Sequence, residues 1–88
     1  IFEDPNNIAF RFFSGITQIE LGDYEQSILL LNEVIDNNGD YKKEAQWYLA
    51  LVYLKTGYTQ KATSFINELA QSQGNYKIKA QTLLDRLK

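Results

Sequence analysis

Apolar residues recur every three to four positions in five successive stretches of the chain. This is the spacing of one face of an α-helix, and no stretch shows the two-residue alternation of a strand. The five apolar stripes comprise Ile8, Phe12, Ile16 and Ile19; Ile28, Leu31, Val34 and Ile35; Ala45, Leu49, Val52 and Tyr53; Ala62, Phe65, Ile66 and Leu69; and Ala80, Leu83, Leu84 and Leu87. The sequence therefore predicts an all-α fold of five helices.

Capping and turn residues predict where these helices begin and end. Asp4-Pro5 predicts the first start, because aspartate is a favoured N-cap and proline a favoured first helical residue. The fifth helix is expected from Tyr76 to about Leu87. The other predicted N-caps are Asp23, Asp40, Thr59 and Asn75, and the predicted ends are Leu21-Gly22, Asn37-Asn38-Gly39, Gly57 and Gln73-Gly74.

The third helix, between Gly39 and Gly57, is apolar over most of its circumference. Its second apolar side carries Trp47, Tyr48, Leu51 and Leu54. A helix with this pattern is expected to be covered by neighbours on two sides.

An internal repeat relates the two halves of the chain. A shift of 35 residues aligns nine identical pairs. They are Gly22 with Gly57, Asn32 with Asn67, Glu33 with Glu68, Gly39 with Gly74, Tyr41 with Tyr76, Lys42 with Lys77, Ala45 with Ala80, Gln46 with Gln81, and Leu49 with Leu84. A helix pair that recurs with a period of about 34 residues is typical of a helical solenoid.

The repeated unit resembles the tetratricopeptide repeat. The residues that carry the resemblance are the small pairs Gly15 with Ala50 and Ser27 with Ala62, the large pair Leu31 with Ile66, and the turn Gly22-Asp23-Tyr24. The chain departs from the family where Arg11 and Gln46 replace its tryptophan and where Gly39 and Gly74 replace its terminal proline. The period of 35 is also one residue longer than usual.

The resemblance implies a right-handed superhelical α-solenoid fragment of five antiparallel helices within one domain, residues 1–88. Repeat 1 would span about 7–39, repeat 2 about 41–74, and a capping helix about 76–87. The chain does not begin with methionine and contains none. We therefore expect it to be a piece of a longer protein, with upstream repeats, an anchor or another domain possible before Ile1.

Composition narrows the chemistry that this chain can perform. It contains neither cysteine nor histidine, which removes thiolate and imidazole metal ligands and the usual activator of a serine nucleophile. The carboxylates of Asp36, Glu44, Glu68 and Asp85 form no spaced pair on one predicted face, and the glycines form no phosphate-binding loop. The sequence predicts no enzyme, no cofactor and no metal site.

Charge is distributed unevenly along the chain. Residues 1–44 contain nine acidic and three basic side chains, a net −6, and residues 45–88 contain two acidic and six basic ones, a net +4. This is not the basic face that nucleic-acid binding requires, and no apolar run is long enough to span a membrane. The absence of cysteine fits the cytoplasm and a bacterial periplasm equally.

The resemblance also implies where a partner would bind, because the first helix of each pair lines the concave face in this family. The expected groove residues are Phe12, Phe13, Ile16, Glu20, Glu44, Trp47, Tyr48, Leu51, Lys55 and Arg86, with Ile19, Leu54, Lys79, Thr82 and Leu83 beside them. The family's carboxylate-binding residues are not present, since apolar residues such as Phe12, Ile16 and Trp47 occupy those positions.

Two functions are compatible with these residues. The first is a protein–protein interaction module that binds an apolar helix or peptide, with aromatic anchors in the groove and charged residues at its rim. The second is an assembly module whose apolar face is covered by a homodimer partner or by upstream repeats of the parent protein.

Overall fold

The computed structural model describes residues 7–87, which form five α-helices and no strand. The helices are α1 (Ile8–Leu21), α2 (Tyr24–Asn37), α3 (Lys42–Thr56), α4 (Thr59–Gln71) and α5 (Lys77–Leu87). Each helix packs against the next in the chain, and α1 also contacts α3. The radius of gyration is 13.0 Å. The prediction of an all-helical fold is confirmed.

The first two helices begin at side-chain caps. The Oδ1 atom of Asn7 accepts a hydrogen bond from the backbone N–H of Phe10 (3.0 Å), and Oδ1 of Asp23 accepts one from that of Gln26 (3.2 Å). The cap predicted at Asp23 is therefore confirmed. The start predicted at Asp4-Pro5 lies outside the described residues.

The caps predicted for α3 and α4 are wrong. The N-cap residues are Tyr41 and Tyr58, and neither uses its side chain as a hydrogen-bonding cap. Their rings pack instead, Tyr41 on Phe12 with centroids 4.9 Å apart and Tyr58 on Tyr53 at 5.8 Å. At the start of α3 the Tyr41 ring is partly buried against the core, whereas at the start of α4 the Tyr58 ring stays 53% exposed. In addition, α5 begins at Lys77, one residue after the predicted start.

The internal repeat is visible in the backbone hydrogen bonds. Asp23 N–H donates to Gln18 C=O (2.9 Å), and Tyr58 N–H donates to Tyr53 C=O (2.8 Å), 35 residues later. The preceding glycine has φ of 84° in the first turn and 94° in the second, which is the left-handed region that glycine adopts at low cost. The same turn therefore ends α1 and α3.

The core is built around α3, which packs against both α2 and α4. Six of its residues are buried, and they are Ala45, Gln46, Leu49, Ala50, Val52 and Tyr53. Leu49 of α3 is among the largest fully buried side chains, and the neighbouring helices contribute Leu31, Val34, Ile66 and Leu69 to the same set. The apolar pattern predicts that α3 is covered on two sides, and the helices that cover it are α2 and α4.

Small residues let the paired helices approach closely. A Cβ atom added to Gly15 of α1 would lie 2.9 Å from Cδ2 of Leu31 in α2, closer than carbon atoms tolerate. Leu31 is fully buried and has little room to move. Ala50, 35 residues after Gly15, is also fully buried. The distance between the two helices of a pair thus depends on these small side chains.

Among residues 7–87, no helix is long and apolar enough to cross a membrane.

We predict that Leu31→Ala lowers the free energy of unfolding by about 2–5 kcal/mol, because it removes a fully buried side chain and leaves a cavity. Leu29→Ala is the matched control, since Leu29 lies on the same helix but is 62% exposed. It should change the free energy by no more than about 0.5 kcal/mol. Urea denaturation followed by circular dichroism measures both. Equal costs for the two variants would contradict the observed packing of α2.

Candidate interaction surface

An aromatic pair joins each repeat to the next one. Phe12 of α1 stacks on Tyr41, which precedes α3, with ring centroids 4.9 Å apart and an interplanar angle of 26°. Trp47 of α3 packs on Tyr76, which precedes α5, at 5.7 Å and 36°. The two pairs are 35 residues apart, so they are the same contact in successive units. We call them the first and second aromatic pairs.

Further aromatic rings pack around the first aromatic pair. Phe12 makes edge contacts with Phe13 at 5.1 Å and with Tyr48 of α3 at 6.1 Å, and it is only 6% exposed. The structure therefore places Phe12 in the core, which corrects the expectation that it is an exposed anchor. Phe13, by contrast, is 57% exposed.

The second aromatic pair lies beside an open groove between α3 and α5. The groove has a volume of about 320 Å³ and is lined by Trp47, Leu51, Ile78, Lys79, Thr82, Leu83 and Arg86. The internal repeat explains the opening. The positions that hold Trp47 and Tyr48 in α3 hold Thr82 and Leu83 in α5, 35 residues later. Leu83 is smaller than the Tyr48 ring that contacts Phe12 at the first interface, so it leaves space in the groove beside Trp47.

The groove combines an apolar wall with a basic rim. Trp47 and Leu83 pack partly against the core, whereas Leu51 is 38% exposed. Among residues 7–87, the ionisable side chains that line the groove are the cations Lys79 and Arg86. The ammonium of Lys79 lies 5.4 Å from the ring centroid of Tyr76, a cation–π distance. The groove is suited to an apolar group that has a negative charge near it.

A polar depression lies beside the second aromatic pair. Glu44, Lys43 and Tyr76 line it together with the turns that follow α2 and α4. The ammonium of Lys43 donates to the backbone carbonyl of Gln73 and so links the first turn of α3 to the turn that follows α4. Burial raises the pKa of Tyr76 from its ordinary value of 10.0, and repulsion from the phenolate form of Tyr48 and from the carboxylate of Glu44 raises it further. Glu44 thus acts electrostatically on the second aromatic pair.

The ten residues expected in one groove lie in several places. Trp47, Leu51 and Arg86 line the groove between α3 and α5. Phe12, Phe13 and Tyr48 form the aromatic cluster of the first interface. The other four are Ile16, partly buried against the core, Glu44, in the polar depression, and Glu20 and Lys55, exposed outside the groove.

Sequence reasoning assigned no role to Ile78, which is 69% exposed and lines the groove. It lies off the apolar stripe of α5, so the helical pattern gave no reason to select it. The signal that was available is an isolated large apolar residue on an otherwise polar helix face.

We predict that Glu44→Gln lowers the pKa of Tyr76, because it removes a negative charge that disfavours the phenolate. Since folding raises this pKa, its contribution to stability is present below the unfolded value near 10.0 and is lost as the pH rises through the folded value. As the pH rises through this range, the free energy of unfolding of Glu44→Gln should therefore fall less than that of the wild type. The titration is followed by the NMR signal of the tyrosine Cζ atoms. Glu25→Gln, at an exposed position of α2, is the control, and an equal shift in both variants would contradict the assignment to Glu44.

Comparisons with known proteins return no relative of this chain: no family model matches the sequence, and no curated protein or solved structure matches it either. The comparison that the chain does allow is between its own two halves. That comparison explains the groove, because the same interface is closed by rings in one half and open in the other.

Proposed function

We propose that this chain is a protein–protein interaction module that binds an apolar helix or peptide in the groove between α3 and α5. One observation carries the proposal: Trp47 and Leu51 remain accessible in a preformed groove, whereas the corresponding site at the first interface is filled. Tryptophan in such a setting is a frequent hot spot of binding energy. A groove of this size and shape accommodates one face of an amphipathic helix.

The same proposal includes a tetratricopeptide-like architecture. The glycine turns and the aromatic pairs recur at 35 residues and support the stacking of equivalent helix pairs. In a right-handed superhelix of this kind, α1, α3 and α5 would line one face. The contact between α1 and α3 and the groove shared by α3 and α5 agree with that arrangement.

Binding would work by removing apolar surface from water at an already formed site. A leucine-sized side chain that becomes fully buried contributes about 1.5–3 kcal/mol. Because association also costs translational and rotational freedom, several such contacts are needed, and Trp47, Leu51 and Leu83 are positioned to provide them. The cations Lys79 and Arg86 would select partners with acidic residues and make the association sensitive to salt.

The alternative function, an assembly module, is favoured by a different observation. Phe10, Phe13 and Leu29 are each about half exposed or more, and they lie on α1 and α2 outside the groove. Apolar residues on these helices are where a homodimer partner or an upstream repeat of the parent protein would pack. The two functions are compatible, since they use different residues of the chain.

The test is a selection of random 16-residue peptides displayed on phage, with the wild-type chain as target and the Leu51→Asp variant for counter-selection. We predict that the enriched peptides carry apolar residues flanked by acidic ones. Their synthetic forms should bind the wild type and shift the NMR signals of Trp47 and Leu83. Leu51→Asp should weaken binding at least about 10-fold, since a bound peptide would remove an apolar contact and bury the new carboxylate against apolar residues.

Leu21→Asp is the matched control, because Leu21 is a 73% exposed leucine at the end of α1 and lies outside the groove. This variant should bind the selected peptides as the wild type does. The proposal is refuted if the selection yields no binding peptide, or if Leu51→Asp and Leu21→Asp affect the affinity equally.

A further inference from the structure

One exposed stripe of α2 combines acidic residues with an accessible leucine. Glu25, Leu29, Glu33 and Asp36 are spaced by four, four and three residues, so they lie on one side of the helix. All four are exposed, and Leu29 is 62% exposed. We call these residues the acidic stripe.

The opposite face of α2 holds the helix in its own chain. The buried residues of this face are Ser27, Leu31 and Val34, and α2 packs against α1 and α3. Glu33 forms an ion pair with Arg11 of α1, but its side chain is still 52% exposed. The acidic stripe can therefore meet a second molecule without any part of the fold being opened.

The acidic stripe and the groove are complementary in charge and in spacing. In the stripe, Glu25 and Glu33 flank Leu29 and are about 12 Å apart along the helix axis, at 1.5 Å per residue. In the groove, Lys79 and Arg86 flank the apolar wall and are about 10 Å apart along α5 by the same rule. The acidic stripe thus has an apolar centre between two anions, and the groove has an apolar centre between two cations.

We propose that the groove between α3 and α5 binds the acidic stripe of α2 from a second copy of this chain. Leu29 of one copy would contact Trp47 and Leu51 of the other, while its acidic neighbours meet Lys79 and Arg86. This inference rests on the proposed function, because it names the occupant of the same groove. The net charges of −6 and +4 on the two halves of the sequence favour an encounter in this orientation.

The two surfaces are different parts of one chain, so the contact is heterologous. A copy whose stripe is destroyed still offers a groove, and a copy whose groove is destroyed still offers a stripe. One helix in one groove makes a small interface, which is typical of weak and reversible association. We therefore expect assembly that depends on concentration and weakens with salt.

The experiment is sedimentation equilibrium at chain concentrations from about 10 µM to about 1 mM, in low and in high salt. The wild type should exceed its monomer mass of 10.2 kDa as the concentration rises, and less so in high salt. Leu29→Asp and Leu51→Asp should each stay monomeric, because each lacks one of the two surfaces. A 1:1 mixture of these variants should form a heterodimer and grow no further.

Leu21→Asp is again the control, and it should associate like the wild type. Far-ultraviolet circular dichroism establishes that each variant keeps its helices. A charge exchange gives a second route: Lys79→Glu with Arg86→Glu should be monomeric alone and should associate when mixed with Glu25→Lys plus Glu33→Lys.

Three outcomes would overturn the inference. A wild type that is monomeric throughout, yet binds the selected peptides, removes the second copy as the occupant and leaves the proposed function intact. A wild type that neither associates nor binds peptides removes both. Association that is abolished by Leu51→Asp but not by Leu29→Asp means that a different segment occupies the groove.

Discussion

The burial of α3 between α2 and α4 is the constraint on which the rest of the structure depends. A chain of this size buries limited apolar surface, and α3 supplies a large share of it. Small residues that are fully buried lie on both sides of this packing, Ala45 and Ala50 on α3 and Ala62 on α4. Because one face of α3 is buried against α2 and α4, its other face, which carries Trp47 and Leu51, lies toward α1 and α5.

The internal repeat then produces two interfaces that share a backbone and differ in their side chains. At the first, Phe12, Tyr41 and Tyr48 fill the space between successive first helices. At the second, Trp47 and Tyr76 repeat the aromatic pair, but Leu83 replaces the ring that Tyr48 contributes at the first. A groove arises from this difference in side-chain volume without any change of fold.

The sequence predicted the candidate site in part. Trp47 and Leu51 were selected because they lie on the face of α3 that is left over when the packing face is assigned, and the structure places both in the groove. Phe12 was selected by the same reasoning and is buried, because Tyr41 and Tyr48 cover it from other elements. Ile78 was passed over, because it belongs to no helical stripe although it lines the groove.

The sequence by itself determined the five helices, the turns at Gly22 and Gly57, and the period of 35, because these follow from local periodicity and from glycine's access to positive φ. Tertiary structure decided which residues are the N-caps of α3 and α4. It also decided that rings fill the interface between α1 and α3, whereas the one between α3 and α5 is open. The N-cap of α3 and the difference between the two interfaces depend on contacts between rings that are distant in the chain, such as Phe12 with Tyr41 and with Tyr48. Side-chain pattern along one helix carries no information about that volume, which exists only where two helices meet.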